Sequence, residues 1–576
     1  MRLSGVNVQN FRSIKNCSVI FKEVTAVIGE NNAGKTALLR ALNSVFNWEY
    51  EAQYFLDNTH QYAPRTVTKI ILSFEDVPEK EVYNGKKNGD MLQLAFSYSY
   101  GNTTRRKVLT CRTDSTDVVV DDGFITQLKE DIDYVYIPAS RGSRDLTWDE
   151  NSIFKRVLTG YSKRYSEKRD NVSRQVERVA EVLRRTVFSK LETEIGKASM
   201  LDDNEKYSLK YNETIDYTLF LDKVGLNLLN NGNDFPVTEY GSGIKSLSVI
   251  ALHRVLAQLE HMNVVLGIEE PETNLHPHAQ KKLIASIMNK RQNTEVQAIM
   301  ATHSTVIIDE LRHEDIILAR RIPDSKRGFH TEFTQLEADF WDRYRLDEYK
   351  HNNFFRYRNS EFFFAKYVII VESITDAQVI NHLISEGIGE KRFFVSVLNL
   401  DGVKNIKYPY FLLKSLGIPF SMVVDHDVIS TYENDKLEAS RDLVTYLPSY
   451  KKTANIRNPV LKDLWSSEAE KNRLNEAAGQ SYTKLFEFCG NKKLYVMQYC
   501  LEMDLVAHDS SRQEFCTVMD IPFNDSSFTA LLKDRKDAIK APDKIMAVVT
   551  SLAPAQYPYS FKKIRTAIIA DINSAF

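Results

Sequence analysis

Hydrophobic and polar positions alternate along residues 3–8 and 17–21, and the second run leads into an unbroken apolar stretch at 24–28. Alternation at period two marks a strand with one wet face, and a short unbroken apolar run marks a strand buried on both. The apolar stretch stops at Gly29, and between Lys35 and Phe46 the apolar spacing changes to three and four. The pattern predicts strand, glycine loop, helix. Residues 66–75 and 91–100 alternate again, and 133–138 form a further strand. The character changes at 151–197, which is charged and poor in glycine. There Val172, Val176, Val179, Leu183, Val187, Leu191 and Ile195 recur every three or four positions, which is one apolar stripe on a long helix. Such a stripe either packs on its own domain or serves as an arm that joins a second copy. Strand and helix signals return at 244–271 and 295–308, residues 311–365 read as a connector rich in charge and aromatics, and a fresh strand–turn–helix begins at Lys366.

A chain of 576 residues exceeds one ordinary core, and ~150 residues per domain suggests three or four units. With 75 Lys+Arg against 77 Asp+Glu there is no global basic footprint, so any contact with nucleic acid must rest on local patches. Five scattered cysteines with no CxxC spacing argue against a disulfide framework or a structural zinc site. The opening MRLSGVNVQNF lacks the apolar core of a signal peptide, and no apolar run reaches the ~18 residues a bilayer span needs. The expectation is a cytoplasmic protein with no membrane contact.

Two motifs carry chemistry. Gly29-Glu30-Asn31-Asn32-Ala33-Gly34-Lys35-Thr36 fits GxxxxGK[ST] between a strand and a helix. Backbone N–H groups of Gly29, Asn31, Asn32, Ala33 and Gly34 can wrap phosphates, Lys35 supplies a point charge, and Thr36 can ligate Mg²⁺. The apolar run 264–268 ends in Glu269-Glu270, with Glu269 suited to the metal and Glu270 to polarising water. Further on, the apolar run 367–371 ends in Glu372, and 420–424 ends in Asp425-His426-Asp427. Positions i and i+2 of a strand end point the same way, so Asp425 and Asp427 are expected to converge, with Glu372 on the same edge of a parallel sheet. Asp376, on the first helical turn after Glu372, is a fourth hard oxygen donor, and such a set suits Mg²⁺ or Mn²⁺.

The nucleotide motifs resemble those of the RecF, SMC and OLD group of ABC-type ATPase heads. The resemblance rests on Asn10-Phe11-Arg12-Ser13, the phosphate loop, a signature-like Tyr240-Gly241-Ser242-Gly243, the acids, Asn274-Leu275-His276-Pro277 and His303 after a strand. It implies that His303 senses the γ-phosphate and that Ser242 and Gly243 serve the nucleotide of an opposing subunit. The second set resembles the Toprim domain. An ABC head followed by Toprim in one chain is the layout of the OLD (overcoming lysogenization defect) nucleases, which the Gabija nuclease subunit shares.

That resemblance implies an α/β architecture. Residues 1–140 would be an ABC ATPase lobe, 141–230 a helical insertion or dimerisation arm, and 231–335 the remainder of the head. A linker at 336–365, a Toprim nuclease domain at 366–510 and a C-terminal helical segment at 511–576 would follow. It implies ATP, with one Mg²⁺ or Mn²⁺ beside it and two at the Toprim acids, the second held by Asp376 and Glu502, with Asp504 as a further candidate. It also implies a late catalytic lysine, Lys544 with Lys540 as the alternative. The implied activity is ATP-regulated, two-metal DNA endonuclease chemistry in anti-phage defence, as a homodimer or higher oligomer, with a retron or helicase-like protein as a partner. Lys451, Lys452, Arg457, Lys533, Arg535, Lys536, Lys562, Lys563 and Arg565 could meet phosphates near the metal site. Two other readings stay open: an ATPase clamp whose Toprim domain does not cleave, and a Toprim nuclease that acts on RNA.

Overall fold

The computed structural model describes residues 1–101, 106–114, 116–140, 146, 152–163, 166–198, 208–209, 221, 223–230, 233–260, 263–288, 296–325, 327–347 and 360–576. The expected insertion at 141–230 and linker at 336–365 therefore lie partly outside the described residues. The chain divides into two units, Met1–Phe333 and Thr334–Phe576.

In the first unit β1 (Arg2–Phe11), β2 (Ile14–Ile20) and β3 (Val24–Gly29) precede α1 (Lys35–Phe46) and α2 (Trp48–Leu56). Then come β4 (Thr68–Glu75), β5 (Lys87–Asn88), β6 (Met91–Ser99), β7 (Arg106–Arg112), β8 (Val118–Val120) and β9 (Ile132–Ile137). Helices α3 (Ile153–Lys163), α4 (Ser166–Leu183) and α5 (Ser189–Ala198) follow, with a hairpin of β10 (Asn227–Asn230) and β11 (Asn233–Pro236). The unit closes with α6 (Ser242–Glu260), β12 (Asn263–Glu269), α7 (Pro277–Ile287), β13 (Val296–Ala301), β14 (Ile316–Asp324) and β15 (Gly328–Gln335).

The large sheet runs β8-β7-β6-β4-β1-β2-β15-β14-β3-β13-β12-β9, with β5 beside β6. Its β8-to-β2 half is antiparallel, whereas β14, β3, β13, β12 and β9 are parallel. The alternating sequence of the first half and the unbroken apolar runs of the second follow from this: one half has a wet face and the other is covered on both. The connector expected from residue 311 is corrected by β14 and β15. Ile316, Ile317, Leu318 and Ala319 are buried beside β3, a run of four that Arg320 and Arg321 disguise as a charged segment.

The apolar stripe of the long helices does not pack inside this unit. Val172, Val179, Leu183, Val187 and Leu191 are 42–62% exposed. The stripe crosses a π-helical turn at Arg184–Phe188 between α4 and α5.

The second unit carries β16 (Tyr367–Val371), α8 (Ile374–Ile388), β17 (Val395–Asn399), β18 (Phe420–Val424) and β19 (Leu494–Val496). It ends in α9 (Leu501–Ala507), α10 (Asp509–Met519), α11 (Pro542–Ser551) and α12 (Tyr559–Ala575). The sheet, β17-β16-β18-β19, is parallel throughout. The helices beyond residue 509 share one apolar core with this sheet, through Phe515, Val548, Ile564 and Ile568 packed with Ile369, Val379 and Ile380. Asp571 fastens α12 to both β16 and β19, accepting from Tyr367 Oη at 3.0 Å and Tyr495 Oη at 2.6 Å. Among the described residues no helix is long and apolar enough to cross a membrane. All five cysteines are free thiols.

Candidate active site

Strand register builds the first pocket. Ala301 lies opposite both Glu269 and Val27, and Ala319 lies opposite Gly29. Parallel strands thus deliver Gly29, Glu269, Glu270 and His303 to one edge, where ligands of open α/β sheets sit. A cavity of about 400 Å³ opens there, lined by Asn31, Asn32, Ala33, Gly34, Lys35 and Thr36 on one side and by Glu269, Glu270 and His303 on another. Gly34 has φ +94°, and a Cβ on it would stand 2.4 Å from Thr331 Oγ1 and 2.8 Å from Ser13 Oγ, so only glycine fits the loop. Lys35 Nζ curls back to donate to the carbonyls of Gly29 at 3.0 Å and Glu30 at 2.8 Å. Burial pushes its pKa down to about 8, against the pull of Glu270, Glu272 and Glu30.

The acids after β12 differ in their support. Glu269 is buried and accepts from the Ala139 N–H at 3.3 Å. Glu270 sits in the left-handed region, φ +40°, with its N–H donating to Ala301 O at 2.7 Å. A glutamate held there is the kind of backbone outlier that clusters at working sites. His303 is held below the ordinary imidazole pKa, first by burial and then by the Lys35 charge, so it is neutral at pH 7. Ser242 is exposed at the start of α6, and neither it nor Gly243 lines the cavity. Gly243 instead packs on the Asn274 turn, where a Cβ would meet Asn274 O at 2.4 Å.

The second edge forms in the same way. Ile370 pairs with Met422, so Glu372 lies level with Val424 and one residue short of Asp425, and Val424 pairs with Val496 on β19. Asp425 is raised well above the ordinary carboxylate range, first by burial and then by the charges of Asp376, Glu372, Glu502 and Asp427, in that order. Acids from two strand ends and three helices therefore share one field. Among the described residues, no three His, Cys, Asp or Glu side chains close on a common point as they stand. The donor set fits a hard divalent cation in kind: it is all carboxylate, and Asp425 carries an electrostatic burden that such a cation relieves.

Individual acids are placed differently. Asp427 is not on the strand, which ends at Val424; it lies on the turn of helix His426–Ile429. The i, i+2 strand argument therefore does not place it. Asp427 stands at the exposed rim, accepting from Tyr432 Oη at 3.2 Å, and contributes least to the field on Asp425. Asp376 Oδ2 accepts from Ser373 N at 2.9 Å and Ser373 Oγ at 2.6 Å, a capping box that starts α8. Ser373 thus aims Asp376. Asp504 braces the turn after β19, taking the N–H groups of Gln498 at 3.0 Å and Tyr499 at 2.7 Å, and burial pushes it up to about 7. Lys540 Nζ reaches Glu502 Oε1 at 3.5 Å, whereas Lys544 Nζ pairs with Asp543 at 4.0 Å.

Comparison with known proteins fits both edges. The family model described as "AAA ATPase domain" matches residues 1–137 and 120–308, and "Overcoming lysogenization defect protein-like, TOPRIM domain" matches residues 363–427. The chain belongs to the AAA ATPase domain family, whose model covers more than half of it, and carries an OLD-like Toprim domain. It is 24% identical over 459 residues to the "OLD nuclease" of Thermus scotoductus, covering 74% of this chain and 82% of that protein. It is 22% identical over 411 residues to "Endonuclease GajA" of Bacillus cereus, covering 65% of this chain and 57% of that protein. A solved SMC head bound to the C-terminal winged-helix domain of ScpA is 13% identical with a TM-score of 0.39, covering 60% of this chain and all of that one.

Several residues of these sites escaped the sequence. Glu272 accepts from His303 N at 2.7 Å and Thr302 Oγ1 at 2.8 Å, and so orients the histidine; in sequence it is one more acid in a turn. Thr59 and Gln61 also line the nucleotide cavity. Their loop is held by His60, whose carbonyl takes the Arg12 N–H at 3.0 Å. The His60 Nε2 lies 2.6 Å from buried Glu51, which also binds Asn43 and Arg40 of α1. The sequence around residue 60 carries no motif, and only the fold brings it to the pocket.

Proposed function

We propose that this chain is an ATP-controlled, divalent-metal-dependent DNA endonuclease. The observation that carries the reading is Asp425, held under the joint field of Glu372, Asp376, Glu502 and Asp427 at one sheet edge. Names of two relatives, "OLD nuclease" and "Endonuclease GajA", support the same activity.

Glu372, Asp425 and Asp427 would hold one Mg²⁺ or Mn²⁺, and Asp376 with Glu502 a second. When bound, such a pair supplies an activated water and neutralises charge on the departing oxygen of a phosphodiester. The chain's own part is positional. Ser373 fixes Asp376, Asp504 fixes the turn that presents Glu502, and Lys540 places a positive charge beside Glu502 where a phosphate would gather negative charge. At the other site, Lys35 and the phosphate-loop N–H groups bind the triphosphate, Thr36 and Glu269 would hold its Mg²⁺, and Glu270 polarises the attacking water. The exposed stripe of α4 and α5 fits a second copy of the chain, which would make the working form a homodimer. A role in anti-phage defence, with a retron or helicase-like partner, accords with the OLD family.

The test is a plasmid-cleavage assay with purified protein, crossed over Mg²⁺, Mn²⁺ and EDTA and over ATP and its absence, with RNA digested in parallel. Cutting of DNA that needs metal, is lost in Asp425→Ala and responds to nucleotide unless Lys35 is changed to Ala is the expected result. Normal cutting by Asp425→Ala would overturn the site. Loss of ATP response with no cutting under any metal would point to a clamp, and cutting of RNA alone to the other substrate.

A further inference from the structure

Beyond the one-turn helix that carries Asp427, the chain leaves the site and returns as a hairpin. At its root Asn455 N donates to Ile429 O at 2.6 Å, Lys451 N to Thr431 O at 2.8 Å and Glu433 N to Ser449 O at 3.0 Å. Farther out, Ser449 N donates to Ser440 O at 2.8 Å and Asp442 N to Leu447 O at 2.9 Å. The tip is a turn fastened by one side chain: Asp442 Oδ1 accepts from Val444 N at 2.9 Å, Thr445 N at 2.7 Å and Thr445 Oγ1 at 2.9 Å. The polar groups of the turn are thereby spent on its own backbone. What projects is Leu443, 97% exposed, beside Val444, 69% exposed. Leu443 is the most exposed large apolar side chain among the described residues.

The stem of this tip is packed on the unit, and its root adjoins the acid site. Leu437, Tyr446 and Leu447 pack its stem on the core of the unit, and the Arg441 guanidinium lies 4.4 Å over the Tyr446 ring. At the root, Tyr432 Oη donates to Asp427, and Tyr450 stacks on His426, next to Asp425, with ring centroids 4.0 Å apart. Along one flank Lys536 acts on Glu438 and Asp534 acts on Tyr446, so the exposed stretch Lys533, Arg535 and Lys536 runs beside the hairpin. Lys540, from the same stretch, reaches Glu502. Leu447 and Tyr450 lie three residue steps apart, ~10 Å at ~3.3 Å per extended residue, or about three base-pair steps at 3.4 Å.

We propose that Leu443 and Val444 form a wedge that enters the base stack of duplex DNA a few base pairs from the phosphodiester held at the acids, unstacking and bending the duplex so that one strand reaches them. The inference rests on the endonuclease reading and names the form of substrate that the site takes. Apolar wedges between base steps are a recurring device for kinking DNA. Near the tip Arg441 is paired with Glu438, Lys451 of the stem is paired with Asp435, and Asp442 is turned onto its own turn, so the tip offers apolar contact rather than attraction to phosphate. Two side chains on a narrow turn are far smaller than the ~1,000 Å² that a stable protein interface buries.

The experiment uses the full chain with a labelled duplex and with the same duplex carrying a pre-melted bubble at the cutting position. The Leu443→Ser/Val444→Ser pair is expected to lower cutting of the intact duplex about tenfold or more while cutting the bubble within about threefold of wild type. The Leu443→Met/Val444→Ile pair is expected to keep both. With Ca²⁺ in place of the cleaving metal, 2-aminopurine in the duplex should brighten on binding wild type and stay dark with the serine pair. Equal loss on both substrates, equal retention on both, or a changed oligomeric state of the serine pair would overturn the wedge, the last by pointing to a protein contact. Should wild type cut neither substrate yet brighten the duplex, the endonuclease reading fails and the wedge stands; no brightening sinks the wedge.

Discussion

Lys540 Nζ stands 3.5 Å from Glu502 Oε1, a cation from the segment before α11 set against an acid at the start of α9. Lys544, four residues on, faces Asp543 instead. The Lys540 side chain is 61% exposed while Glu502 is only 13% exposed, so the ammonium is the mobile partner and can move from Glu502 to a phosphate as charge develops there. Lys540→Ala should therefore reduce DNA cleavage ~10²–10³-fold, the usual cost of losing one such charge, with Lys540→Arg recovering part of it. Lys544→Ala should stay within about threefold of wild type, since a partly exposed lysine paired at 4.0 Å contributes little. Single-turnover cleavage rates at saturating metal decide between them, and the reverse ranking would restore Lys544.

Asp425 bears a cost that can be read without any cleavage. Its ionised form is opposed by burial and by four neighbouring carboxylates, which raise its pKa well above the ordinary value. An acid whose folded pKa exceeds its unfolded one destabilises the fold as pH rises past the unfolded value. Asp425→Asn removes that burden, so in EDTA at pH 7 the variant should melt higher than wild type. A gain of ~1 kcal/mol corresponds to about 2–4 °C in a unit of this size. Mn²⁺ should raise the melting temperature of wild type and leave that of the variant unmoved. A variant that melts lower in EDTA would show that the carboxylate stabilises its surroundings.

Much of this was legible in the sequence because both sites sit at ends of buried parallel strands. Unbroken apolar runs that stop abruptly at Gly29, Glu269, Glu372 and Asp425 announce the strand and its functional end together. Helix α1 begins at Lys35 as the spacing predicts, since the glycine before it can take the positive φ that the loop demands. What the sequence hid depends on long-range pairing. Glu272 looks like any turn acid until β13 brings His303 beside it, and Lys540 looks solvated until the C-terminal helices fold onto the sheet. Strand β14 carries two arginines in its middle, after only four buried residues, so periodicity alone could not separate it from a connector.

Glu272 holds the His303 backbone N–H and the Thr302 hydroxyl with its two oxygens, so it sets where the imidazole meets the nucleotide. Glu272→Ala frees both and leaves every phosphate-loop residue in place; because the Glu272 charge also helps keep the proton on Lys35, the comparison is made at or below pH 7. ATP hydrolysis should fall ~10- to 100-fold, the scale of a misplacement near 1 Å, while ATP binding stays within about threefold. Measured together, the turnover rate and the dissociation constant separate the two effects. A parallel loss of binding would mean that the glutamate supports the pocket as a whole.

Lys35 provides the last test, because its pKa of about 8 lies well below the ordinary 10.5. Burial lowers it in the free protein, and bound phosphates favour the ammonium, so the pKa rises on binding and ATP brings a proton with it. Below about pH 7.5 the lysine is charged in both states and affinity should not vary with pH on its account. Above about pH 8 the free protein loses the proton first, and affinity should fall by up to tenfold per pH unit until the bound form begins to lose it too. Glu272→Gln removes one of the charges that hold the proton on, so its decline should begin at lower pH than in wild type. Titration with a fluorescent nucleotide from pH 6.5 to 10, with calorimetry in two buffers of different ionisation enthalpy to count the proton, reads both. An affinity that stays flat to pH 10 would mean that Lys35 remains fully charged in the free pocket.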